Sequence, residues 1–183
     1  MLFSPALLPG DRRVRRLDTV SPELFRRSVQ PVQGRTRWEA ACALAASAVE
    51  TSGVAQQQPF LGQALALARR KQDSDVNALV RKAYWRLAAQ AQALRVEDDR
   101  AGAVLLDPDP ESKAEQDVLP SGGVLGYAKL FWGARACSIL DRLTDFVARG
   151  RELDAEDLAE LAYEHYCVVE DVSATAEILG RFS

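Results

Sequence analysis

The chain has 183 residues, 48% of them hydrophobic and 27% charged, with a net charge of -3. That balance excludes a disordered chain, and the length favours one domain with a sizeable core over two equal ones. No apolar run reaches the ~18 uncharged residues of a membrane span. Even the most apolar stretch, Val124 to Val147, contains Lys129, Arg135, Asp141 and Arg142.

The charge is unevenly placed. Between Asp11 and Arg37, eight arginines face three acidic residues, a net +5. From Trp38 to Val96, seven basic residues face four acidic ones, +3, and from Glu97 to the end eight face nineteen, -11. A basic front and an acidic rear can attract each other within one chain, pair two copies, or recruit different partners.

Residues 1–18, broken by Pro5 and Pro9-Gly10, read as a flexible basic arm, and residues 19–183 as a single helical domain. The arm places a few apolar residues before its arginines, the reverse of a secretory signal, so none is expected. Ser21-Pro22 opens a short helix to about Ser28. Thr36 and Glu39 have capping-box spacing, which predicts a helix over about 37–51 whose many alanines permit close approach of a neighbour. Gly53 stops it, 54–60 reads as a connection, and a further helix follows over about 59–71.

Asp73-Ser74-Asp75 is the next cap cluster. Beyond it Val76, Leu79, Val80, Ala83, Leu87, Ala91 and Leu94 recur at steps of three and four, predicting a helix over 75–96 with that stripe inward. Residues 97–123 change character. A polar Glu97–Arg100 hinge, the DPDP run and Ser121-Gly122-Gly123 predict a long irregular connection. The bulky residues of 124–147 fall on several helix faces, as expected of a central helix with Trp132 in the core. Asp154 and Asp157 then have cap spacing, and one long helix is expected over about 155–179. The expected fold is all-α, an irregular multi-helix bundle or short helical stack of about five or six helices.

Few residues suggest chemistry. His165 is the single histidine, and neither HExxH nor the Glu-x-x-His pair of a helical di-iron site is present, since position 162 is alanine. It reads as a hydrogen-bonded structural residue. Cys42, Cys137 and Cys167 are widely spaced without a CxxC, as expected of buried thiols in a reducing compartment, the cytoplasm. SGGVLG at 121–126 lacks the Lys-Ser/Thr that ends a phosphate-binding loop, so it reads as a helix entry. No metal or cofactor is expected.

The leading expectation is therefore noncatalytic protein binding, by an adaptor, chaperone-like subunit or inhibitory antidote that docks by charge complementarity. Glu156, Glu160 and Glu164, four residues apart, form an acidic line suited to a basic partner. Trp85, with Arg81 and Arg86 beside it, has the aromatic and arginine chemistry of interface anchors. The alanine-rich helix faces also permit packing against a second copy. Two other classes stand behind this one: a nucleic-acid-associated regulator using Arg12, Arg13, Arg15 and Arg16, and a metal-dependent helical enzyme.

Overall fold

The structure, a computed structural model, describes residues 23–100 and 123–183. The basic arm with Arg12, Arg13, Arg15 and Arg16, and the connection from 101 to 122, lie outside the described residues. Among those described there are eight helices and no strand: α1 (Glu23–Val29), α2 (Arg35–Ser52), α3 (Val54–Gln57), α4 (Phe60–Arg69), α5 (Val76–Arg100), α6 (Gly123–Ala148), α7 (Ala155–Val169) and α8 (Val172–Gly180). The fold is an irregular all-α bundle.

α6 is its central element. It packs along α5 and also against α2, α4 and α7. Every residue from Gly133 to Leu140 is buried, which is what large side chains on several faces require. Close approach is built in at Gly133, where a Cβ would stand 3.3 Å from Val54 Cγ2 and 3.4 Å from Leu87 Cδ1. α2 supplies the other flat surface, burying Ala40, Ala41, Ala45 and Ala48 with Trp38 and Leu44. The Trp38 indole N–H donates to the Ala68 carbonyl at 3.0 Å, tying α2 to the last turn of α4.

The structure departs from the sequence reading at several points along these helices. The α2 start carries no side-chain cap: Gly34 takes that position, Thr36 Oγ1 donates to the Gln33 carbonyl, and Glu39 pairs with Arg35 instead. The 54–60 connection contains the short helix α3. Glu97–Arg100 extends α5 rather than forming a hinge. Trp132 is only partly buried, and Trp38 is the core tryptophan. The expected last helix is two. Glu170 adopts the left-handed conformation (φ 55°) that closes α7, and the Asp171 side chain accepts from the Ser173 and Ala174 amides to open α8. The Asp154–Asp157 cap does form, as a reciprocal pair at the start of α7.

Candidate functional site

The residues expected to bind fall into two groups on different elements. α5 packs on α6 and α4, whereas α7 packs on α6, α2 and α1, so the structure does not assemble them into one patch.

On α7 the three glutamates face three different arginines. Glu156 accepts from Arg26 of α1 at 2.7 Å on the surface. Glu160 is bonded to Arg142 of α6. Glu164 lies in the core at 3% exposure, where Arg135 of α6, 4% exposed, donates to both its oxygens at 2.8 and 2.9 Å. Burial opposes the Arg135 charge, but the Glu164 carboxylate outweighs it and holds the guanidinium above its ordinary pKa. The line read from spacing is thus a seam of ion pairs joining α7 to α1 and α6, with its last member inside.

On α5 the buried side is Val76, Val80, Ala83, Leu87, Ala88 and Ala91, and the opposite side faces water. Trp85 stands there at 56% exposure, with its ring 5.0 Å from that of partly buried Tyr84. Arg81 is committed to α6: its Nε donates to Asp141 at 3.1 Å and its Nη2 to Asp145 at 3.2 Å. Hydrogen bonding to Asp141 raises the Arg81 pKa. Arg86 is exposed, as is Lys82, and neither forms an ion pair with a described residue. Leu79, expected on the inward stripe, is 47% exposed at its edge. Lys82 and Leu79 therefore join this face, although their spacing gave no functional signal.

His165 is fully buried and ties three helices. Thr175 Oγ1 on α8 donates to the Asp171 carbonyl at 3.2 Å, which leaves it accepting from His165 Nδ1–H at 2.8 Å. His165 Nε2 then accepts from the Ser47 hydroxyl of α2 at 2.9 Å. A serine within reach of a histidine is the start of a nucleophilic set. Here, however, the third member is a hydroxyl rather than a carboxylate, and burial lowers the imidazole pKa to about 4. The trio acts as a neutral structural tie.

Burial also pushes the three thiols up, Cys42 to about 11 and Cys137 and Cys167 to about 12, so all are protonated and unreactive at neutral pH. Among the described residues no group of His, Cys, Asp and Glu has the arrangement of a metal site, and no helix is long and apolar enough to cross a membrane. A cavity between α5 and α6, lined by Tyr84, Ala88, Ala91, Phe131, Ala134 and Arg135, has a volume of about 10 Å³, enough for one water. Comparison of the chain with known protein families, curated proteins and solved structures finds no match.

Proposed function

We propose that this chain is a noncatalytic protein-binding module, acting as an adaptor, chaperone-like subunit or inhibitory antidote, and that its partner docks on the outer face of α5. The exposure of Trp85 in the middle of a well-packed helix carries this reading. An indole left in water keeps a large apolar area available, and tryptophan and arginine are the residues that most often dominate interface energies. Contact with Tyr84 restrains the ring, which lowers the ordering cost of binding. Arg86 lies one residue on, and Arg81 is held by Asp141 and Asp145 as part of the scaffold. Glu156 and Glu160 contribute at most at the rim, being engaged by Arg26 and Arg142. The three buried free thiols support a reducing compartment, the cytoplasm.

The test separates binding from stability. Truncating an exposed residue changes stability by about 0.5 kcal/mol or less, whereas losing an interface anchor costs about 2 kcal/mol or more of binding. Trp85→Ala is therefore expected to melt with the wild type and to bind the purified partner more than tenfold more weakly, roughly the conversion of 1.4 kcal/mol per decade. Unchanged affinity, or unfolding of the variant, contradicts the reading.

A further inference from the structure

Resting on the reading above, we infer that the occupant of the α5 face is an acidic amphipathic helix of another protein, with an apolar side chain set against Trp85. The first support is the charge of this face. α5 contains no acidic residue from Val76 to Val96, and its solvent side carries Lys82 and Arg86, neither of them neutralised by a described residue. The two are four residues apart, one helical turn, and both lie on the same flank of the indole.

The second support is shape. Ala78, Lys82, Trp85 and Ala89 follow one another at steps of three and four along the exposed side. The alanines seven residues before and four after Trp85 leave low ground at both ends of the indole. A partner backbone can therefore come close, at the ~8–10 Å axis separation of packed helices, with the ring filling its groove. A helix with an apolar stripe bordered by glutamates would set that stripe on Trp85 between Ala78 and Ala89 and place its carboxylates at Lys82 and Arg86.

Two other occupants fit less well. A second copy presenting the same face would set Lys82 and Arg86 against like charges. A nucleic acid strand would find two uncommitted cations, beside Asp141 and Asp145 already bound to Arg81.

The experiment uses the full chain and follows the three tryptophan indole N–H resonances by NMR, assigning Trp85 with Trp85→Phe. The probes are a synthetic Glu/Leu amphipathic helix of about four turns, its Lys-for-Glu counterpart, and an oligothymidine of similar length. The Glu/Leu peptide is expected to move the Trp85 resonance and leave Trp38 in place. Affinity should fall about tenfold or more in Lys82→Glu/Arg86→Glu, as for close charge pairs at an interface, and should weaken with salt. An equal response to the Lys/Leu peptide overturns the acidic preference while leaving protein binding standing. A response to oligothymidine alone overturns both in favour of nucleic acid. No response of Trp85 to any probe overturns the acidic-helix inference, and the melting and affinity comparison of Trp85→Ala then decides separately whether the face binds protein. The position of the Trp38 resonance, whose indole is bonded in the core, reports in every variant that the fold is intact.

Discussion

Glu156 and Glu164 are two turns apart on α7 and carry the same charge, but solvent makes them unequal. The Arg26–Glu156 pair is about half exposed on both sides, a setting in which ion pairs contribute about 1 kcal/mol or less. Glu164 faces a buried guanidinium, and removing one partner of such a pair costs about 3–5 kcal/mol because the other charge is left in the core. Glu156→Gln is thus expected to shift urea unfolding slightly and Glu164→Gln severely; equal effects would contradict the placement of Glu164. His165 gives a pH signature. Its pKa is about 4 in the fold against 6.5 ordinarily, so the unfolded chain binds the proton first as pH falls. Its contribution is whole above pH 6.5 and is lost towards pH 4, by up to about 3 kcal/mol at 1.36 kcal/mol per pH unit. The stability advantage of the wild type over His165→Asn should narrow across that window, and a constant gap would contradict a neutral buried imidazole.

Among the elements, two helical glycines predict opposite outcomes. Gly62 of α4 is exposed with nothing near its missing Cβ, so Gly62→Ala should stabilise by about 0.5–1 kcal/mol. Gly133 of α6 is wedged against Val54 and Leu87, so Gly133→Val should cost about 2 kcal/mol through overpacking. Thermal melts of the two variants check both signs. Element existence was the legible part of this chain. The three–four period put Val76, Val80, Ala83, Leu87 and Ala91 inside, as found, because one helix face must meet the core whatever its neighbours are. Leu79, expected inside, is exposed because it lies at the edge of that stripe, where only the position of the next helix decides burial. The break between α7 and α8 was hidden because Glu170, rather than glycine or proline, adopts the left-handed turn. Equal spacing likewise cannot say which of three glutamates turns inward; that depends on Arg135, 29 residues away.

At the scale of the whole molecule, described arginines of the front and middle segments pair with the acidic rear within the chain. Arg26 reaches Glu156 across 130 residues, and Arg81 reaches Asp141 and Asp145 across 60 and 64. These pairs join α1 to α7 and α5 to α6, and so occupy part of the charge that spacing alone assigns to partners. Lys82 and Arg86, beside Trp85 on the α5 face, take no part in these pairs, and on that face the proposed function rests. The most direct measurement places a photo-crosslinking residue at exposed Ala89, one turn from Trp85, and another at exposed Ala66 on α4, in the native cell. A discrete adduct with one protein from position 89, absent from position 66 and lost in Trp85→Ala, is the predicted result. The same adducts from both positions, or none from position 89, would contradict it.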